Sequence, residues 1–207
     1  MRSLVYLVAT SIDGFIAAPS GDFDAFPQEP ATLSALFELY PETCPTHLRA
    51  HFAIASPPRR FDTVIMGART HQPALDAGLT SAYPHLEQHV ATHRDLPEDP
   101  SVYPFSGDAA EYVQELKAQK GRDIWLCGGA DLAAQLASLV DEVHVKVYPV
   151  LFGDGLHLMN AGFEPRPLAL MNSQRLPGDL LVNTYRRLPA PLQHRPALAP
   201  HGKPPAA

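Results

Sequence analysis

Asp123-Ile-Trp-Leu-Cys-Gly-Gly-Ala-Asp-Leu-Ala-Ala-Gln-Leu136 joins a short apolar run to a helical pattern through two glycines. Asp123 to Cys127 reads as a strand buried on both faces, because the run is apolar and of strand length. From Ala130 onward Leu132, Leu136, Leu139 and Val140 recur at helical spacing and line one face. Strand, glycine turn and helix in succession are the repeating step of an α/β fold. Glycines at such a junction let a ligand approach the backbone, where unpaired N–H groups and the helix dipole favour a phosphate. For a lone Gly-Gly, a tight turn that uses glycine only to reach positive φ is the commoner explanation.

The same step occurs elsewhere in the chain. Leu4 to Ala9 is a continuous apolar run that ends at Thr10, Ser11 and Asp13, as a buried strand meeting a loop does. Asp62 to Met66 is β-branched and apolar, and Gly67 then opens Gly67-Ala-Arg-Thr-His71 into a helix. Glu87 to Ala91 is a further strand, followed by the polar turn from Thr92. Asp108 with Glu111 three residues later forms a capping-box-like start to a helix that runs to Lys120, with Gly121 as its C-cap. Helical patterns surround Leu33, Leu36, Phe37 and Tyr40, and again Leu48 to Ile54.

Beyond the glycine turn, Val143, Val145 and Val147 alternate with His144, Lys146 and Tyr148, so this strand keeps a polar face. Gly153-Asp154-Gly155 ends that region, and Leu168 to Leu176 with Leu180 to Arg187 read as a terminal antiparallel hairpin around Pro177-Gly-Asp179. The expected fold is a single three-layer αβα domain, class α/β, over residues 1–188, with a mixed, mostly parallel sheet ending in that hairpin. Residues 189–207 are Pro-rich and aperiodic and are expected to be a disordered tail.

Composition narrows the function. The 207 residues are 45% hydrophobic and 18% charged, which suits one globular core. A net charge of −6 without a basic run excludes nucleic acid as an expected partner. No stretch has the apolar length to cross a bilayer, and the N-terminal run is too short for a signal peptide, so no membrane partner is expected. The two cysteines, Cys44 and Cys127, lack zinc spacing and fit a reducing, cytoplasmic setting. His85, His89 and His93 recur every fourth residue, but the strand-like Val90-Ala-Thr92 context spreads such side chains apart, so no metal site is expected.

Three phosphate-suited strand ends then stand together. Gly128-Gly129 is one. Arg69 and Thr70 after Gly67 offer a guanidinium and a hydroxyl, the alternative being a surface Arg at a helix start. Thr92-His93-Arg94 offers an arginine of the kind that selects a ribose 2′-phosphate, with a solvated turn as an equal alternative. Ligands of open α/β sheets gather at the carboxyl ends of strands, so the three together point to a dinucleotide.

Ala9-Thr-Ser-Ile-Asp-Gly-Phe-Ile-Ala17, Val64-Ile-Met-Gly-Ala-Arg-Thr-His71, Ile124 to Leu132 and Leu139 to Gly155, in this order, resemble the dihydrofolate reductase-like superfamily. Within it the chain is most similar to the reductase domain of riboflavin biosynthesis, the RibD C-terminal domain, over roughly residues 3–187. The resemblance implies NADPH as cofactor and hydride transfer to a C=O or C=N bond of a small heterocyclic or sugar-derived substrate, in a homodimer. It implies that the backbone of Ala9 and Ile16 holds the nicotinamide carboxamide, and that Gly67, Arg69 and Thr70 meet the adenosine half. Thr92 and Arg94 would lie near the 2′-phosphate, and Gly128, Gly129, Ala130, Asp131 and Leu132 around the pyrophosphate and nicotinamide ribose. Phe152 and Asp154 would touch substrate from the rim, a plain reverse turn being the alternative.

Two departures qualify the likeness. The register that carries a buried carboxylate in dihydrofolate reductases falls on Leu33, which argues against a folate substrate, and Arg69 sits one place later than the family's arginine. Asp13, beside the expected nicotinamide, is the candidate catalytic acid, to bind a substrate hydroxyl or orient a proton-donating water; a turn aspartate capping the loop is the alternative. A catalytically degenerate nucleotide-binding domain and a dimerisation module remain the competing expectations, the latter resting on the polar face of the His144 to Tyr148 strand.

Overall fold

The structure, a computed structural model, describes residues 1–189; the expected tail lies, from residue 190 on, outside the described residues. Strand β1 (Leu4–Thr10) is followed by the short β2 (Phe15–Ala17), helices α1 (Pro30–Leu39) and α2 (Thr46–Arg49), then β3 (Phe61–Gly67) and α3 (Ala68–Asp76). Next come β4 (Glu87–Ala91), β5 (Val102–Phe105), α4 (Ala109–Ala118), β6 (Asp123–Gly128) and α5 (Ala130–Gln135). The chain closes with β7 (Glu142–Val147), β8 (Leu156–His157), β9 (Leu168–Arg175) and β10 (Leu181–Arg187).

Eight strands form one sheet in the order β5-β4-β3-β6-β1-β7-β10-β9, while β2 and β8 pair separately. The first six are parallel neighbours; β10 runs antiparallel to both β7 and β9. The expected mixed sheet with a terminal hairpin is the observed one.

Strand β1 explains the layering. Its side chains alternate across the sheet, as strand geometry requires. Val5 and Leu7 join a core with Leu36 of α1, Tyr40 just after it, Phe61 and Trp125. Leu4, Tyr6 and Val8 face the opposite way, among Val113 and Leu116 of α4 and Leu132 and Leu136 beyond the glycine turn. Both faces of the sheet are thus covered, which is why the sequence of β1 is continuously apolar rather than alternating.

Several local expectations are corrected. The helix after Gly129 stops at Gln135, because the amides of Ala137 and Leu139 bond three residues back in tightened turns; Leu136 stays buried all the same. Helix α4 ends at Ala118, where Gln119 donates to the Leu116 carbonyl, so Gly121 lies past the C-cap rather than forming it. Of the helical pattern expected over Leu48 to Ile54, only Leu48 and Arg49 are α-helical, at the end of α2. Strand β5 was not expected: Pro104 disguises it, yet Val90 pairs with Pro104 and Ala91 with Phe105 at the sheet's edge, where proline is tolerated.

The polar face of β7 is the largest correction. His144 and Tyr148 are buried under α1 rather than exposed. The Tyr40 hydroxyl lies 2.8 Å from His144 Nδ1, Glu142 lies 3.0 Å from Nε2, and Tyr148 packs on Phe26 with ring centroids 5.0 Å apart. These contacts seat the α1 layer on the sheet, so the face that suggested a dimerisation module is internal. Nearby, the fully buried Glu42 carboxylate accepts from the backbone N–H groups of Arg60 at 2.8 Å, Phe61 at 2.9 Å and Arg59 at 3.3 Å, which fixes the start of β3.

Candidate functional site

Parallel strands deliver their carboxyl ends to one rim of the sheet, and the chain must turn there into its helices. At β3, β4, β5 and β6 these turns enclose a cleft of about 280 Å³. Gly67, Arg69 and Thr70 line it from the β3–α3 junction, Thr92 and His93 from the end of β4, and Gly129, Asp131 and Leu132 from the β6–α5 junction. Three strand ends singled out separately in the sequence therefore meet in one concavity.

Three helix starts border this cleft, and they differ in how they are capped. Helix α4 begins at Asp108, whose side chain accepts from the amides of Ala110 at 2.8 Å and Glu111 at 3.1 Å. Helices α3 and α5 begin instead at Gly67 and Gly129, which have no side chain to offer and make no such bond. The first amides of a helix have no partner within it and carry its positive dipole end. Two such uncapped ends share the cleft, which is a setting suited to phosphate oxygens.

Gly129 has φ +97° and ψ +109°, and the preceding Gly128 has φ +152°, conformations that L side chains rarely adopt. A Cβ on Gly129 would sit 3.8 Å from Leu132 Cβ and 3.9 Å from Thr70 Oγ1, filling the gap between the two helix starts without a clash. Ala130 is buried.

Charge at the rim is partly neutralised. Arg69 Nη2 donates to Asp131 Oδ2 at 2.7 Å, and Asn160 Nδ2 donates to Asp131 Oδ1 at 2.7 Å. Arg69 is thus engaged with the carboxylate that would otherwise repel an anion from the α5 start. Arg94 is exposed beside the cleft; its amide donates to Thr92 Oγ1 at 3.0 Å, and its guanidinium makes no ion pair among the described residues. His85, His89 and His93 go to separate places: His85 Nε2 lies 2.8 Å from the Glu42 carbonyl, His89 Nδ1 lies 2.8 Å from the Tyr112 hydroxyl, and His93 faces the cleft.

The other candidates lie outside the cleft. Ala9 is partly buried on the α1 face of β1, and Ile16 packs against the opposite core at the register shift of β2. Asp13 accepts from the Ser11 hydroxyl and from the backbone amides of Gly153 at 2.7 Å and Phe152 at 3.1 Å. The Ser11 hydroxyl and then the two amides hold its carboxyl at about 2, well below the usual range. It is therefore ionised at neutral pH and ties the loop after β1 to the loop after β7. These are the contacts of the turn-aspartate alternative, and the ionised carboxylate is in the state that would orient a water or accept from a substrate hydroxyl. Phe152 packs its ring on Phe26 at 4.8 Å, and Asp154 is exposed and accepts from the Gly155 amide at 2.8 Å.

Sequence reading missed Phe105, Ser106, Gly107 and Gln135 of the lining. Phe105-Ser106-Gly107-Asp108 repeats the strand, glycine, helix signature, and that signal was legible once β5 was granted as a strand.

The family model of the RibD C-terminal domain matches residues 2–182. The uncharacterized protein YwjB of Bacillus subtilis is 26% identical over 164 residues, covering 77% of this chain and 83% of that protein. Among solved structures, a putative riboflavin biosynthesis protein from Shewanella sp. PV-4 superposes with a TM-score of 0.63 at 22% identity, covering 91% of this chain and all of that one. Dihydrofolate reductase from Enterococcus faecalis, complexed with NADP(H), superposes with a TM-score of 0.61 at 12% identity, covering 89% of this chain and 96% of that one. At these identities the two structures report a shared fold.

Proposed function

The chain belongs to the RibD C-terminal domain family, and from that premise we propose that it is an NADPH-dependent reductase of a small heterocyclic or sugar-derived compound. The observation that carries this reading is the convergence of two glycine-capped helix starts on one cleft, beside an exposed arginine. The Gly67 and Gly129 turns would hold phosphate oxygens through the first amides of α3 and α5. Thr70, facing the Gly128-Gly129 turn, would donate its hydroxyl to the same group, and Arg94 with Thr92 would meet a ribose 2′-phosphate. The cleft lies near the lower end of the roughly 300–1,000 Å³ typical of ligand pockets, so part of an extended dinucleotide would lie in it and the rest along the strand ends.

A dinucleotide held there would supply a hydride for a C=O or C=N bond. This chain's residues contribute position and electrostatics: the amides of the helix starts fix the phosphates, the Asp131–Arg69 pair keeps the rim from repelling them, and Asp13 holds the loop carrying Phe152 against the end of β1. Such groups accelerate a reaction by orientation rather than by covalent chemistry.

The test is a pair of titrations followed through Trp125, the single tryptophan, with NADPH and with NADH. Wild type is expected to prefer NADPH, and Arg94→Ala to lose affinity for NADPH at least tenfold while NADH changes little. Equal losses for both would move the 2′-phosphate away from Arg94; no binding of either would remove the reductase reading.

A further inference from the structure

At the β5 edge of the sheet, where α4 faces β4 and β5, lies a second cavity of about 250 Å³. Its walls are Glu87 and His89 of β4, Tyr103 of β5, and Tyr112 and Glu115 of α4, and it shares no lining residue with the cleft at the strand ends. Stacked rings part the two: Phe105, which lines the cleft, lies parallel to Tyr112 with centroids 4.0 Å apart. Local geometry assembles this second cavity. His89 and Tyr103 are partners across the β4–β5 ladder, so they share a face, and their rings stack at 5.2 Å. Tyr112, Glu115 and Gln119 fall three and four residues apart, so one face of α4 closes the other side.

His89 points to a ligand. Its side chain is only 8% exposed, its Nδ1 lies 2.8 Å from the Tyr112 hydroxyl, and its Nε2 is buried without a hydrogen-bond partner. A buried polar atom left unpaired is costly. Glu87 Oε2 lies 3.9 Å from Nε2, too far for a good hydrogen bond, yet one ligand nitrogen about 2.9 Å from each would bridge them. The Glu87 side chain beside Nε2 is more than half exposed, and the Tyr103 ring stacked on the imidazole is partly exposed, so this cover is free to swing aside. The Tyr112 hydroxyl both donates and accepts, so it serves either tautomer and leaves Nε2 able to accept.

Charge decides the kind of ligand. Burial, and then the Glu115 and Glu87 carboxylates, raise the Tyr112 phenol above its usual value, which puts both carboxylates around its hydroxyl. Neither carboxylate pairs with a lysine or arginine among the described residues. Glu115 also stands in the last turn of α4, the negative end of the helix dipole, where a carboxylate does nothing for the helix. His89, held at about 4 by burial, is neutral at pH 7 and adds no opposing charge. Arg2, the cation that lowers it further, is engaged by Asp62, Thr63 and the Arg122 carbonyl. Among the described residues no group of three or more His, Cys, Asp or Glu could hold a metal ion, so the cation this cavity suits is organic.

We propose that the cavity between β4, β5 and α4 is a second ligand site, for a small planar organic cation of the amidinium or guanidinium class. The cation donates N–H groups to His89 Nε2 and to the Glu87 carboxylate, and its charge is shared by Glu87, Glu115 and the rings of Tyr103 and Tyr112. The site goes beyond the dinucleotide reading and does not depend on it. Carboxylates and aromatic faces both attract a flat cation, and an amidinium fixes its donors in one plane, as a slot between rings requires. The cavity is smaller than the roughly 300–1,000 Å³ typical of ligand pockets, so the ligand is a small one. An anion is repelled by the same carboxylates.

Benzamidinium and its neutral isostere benzamide test this, titrated at pH 7 by calorimetry and by ¹⁵N NMR of the histidine rings. Benzamidinium is expected to bind saturably, with a dissociation constant of about 1 mM or below, as suits so small a cation. Benzamide should bind about tenfold more weakly or not at all, since it keeps the shape and the donors but loses the charge. Binding should shift the His89 ring nitrogens, with Nε2 unprotonated in the complex. Glu87→Gln and Glu115→Gln, both exposed side chains, should melt as wild type does and each lose about tenfold in benzamidinium affinity. No saturable binding, equal binding of benzamide, undiminished affinity in either variant, or a His89 ring that stays unmoved or carries its proton on Nε2 at saturation overturns the proposal. None of these outcomes bears on NADPH, whose titration tests the cofactor reading separately.

Discussion

Gly129→Ala separates what the glycine turn does for folding from what it does for binding. At φ +97° and ψ +109° an alanine is held in a sparsely populated conformation, which costs roughly 1–3 kcal/mol. At about 2–4 °C per kcal/mol for a chain of this size, the melting temperature should fall by about 5 °C. The added Cβ would stand 3.8 Å from Leu132 Cβ and 3.9 Å from Thr70 Oγ1, ordinary contacts that require no rearrangement, so the domain should keep its fold. A phosphate arriving at the α5 start would meet that methyl group. Overpacking of this kind costs about 1–3 kcal/mol, or roughly 5- to 150-fold in Kd. Gly78→Ala is the matched control: its φ is +74°, nothing lies within 4 Å of the added Cβ, and it is not part of the cleft lining. Both variants should melt lower, and only Gly129→Ala should lose NADPH affinity in Trp125 fluorescence titrations. If Gly129→Ala binds NADPH as wild type does, the turn does not face the pyrophosphate and the reasoning from the helix starts fails.

Other expectations follow from single contacts. Glu42→Gln replaces an acceptor that serves three backbone amides with a group that is half donor, and should destabilise the fold by about 2–4 kcal/mol in urea unfolding; a change below about 0.5 kcal/mol would mean that the amides find other partners. Asp13 titrates at about 2 when folded, below its ordinary value, so its stabilisation is complete above about pH 4 and is lost as pH falls through 2. Urea midpoints of wild type and Asp13→Asn should accordingly differ at pH 6 and converge by pH 2, and a gap that persists there contradicts the assignment. Burial lowers His89 to about 4, and a neutral folded imidazole stabilises fully above the unfolded value of about 6.5, the contribution fading as pH drops from there toward 4. An NMR titration of its ring should show a midpoint near 4; a midpoint near 6.5 would show the ring to be solvated.

Strand and helix identity, and the α/β class, were legible in the sequence because they follow from local causes. β1, β3 and β6 are largely apolar runs of strand length, and α4 carries its own cap in Asp108. The glycine junctions announced themselves for the same reason: the backbone conformation at residue 129 is one that L side chains rarely adopt. Where local signals conflicted, the sequence misled. Pro104 masked an edge strand, and the alternation of β7 suggested an exposed polar face, because hydropathy cannot register that His144 is covered by Tyr40 from elsewhere in the chain.

Tertiary structure alone decided which of the separate polar strand ends share a cavity. Residues near positions 67, 92 and 129 become neighbours only because parallel pairing puts β4, β3 and β6 side by side with their carboxyl ends on one rim. It also decided what Asp13 does: its carboxylate accepts from amides 139 and 140 residues away. Residue type and spacing fix what a side chain can offer; whether anything else in the molecule takes the offer depends on contacts between distant segments, which no local pattern records.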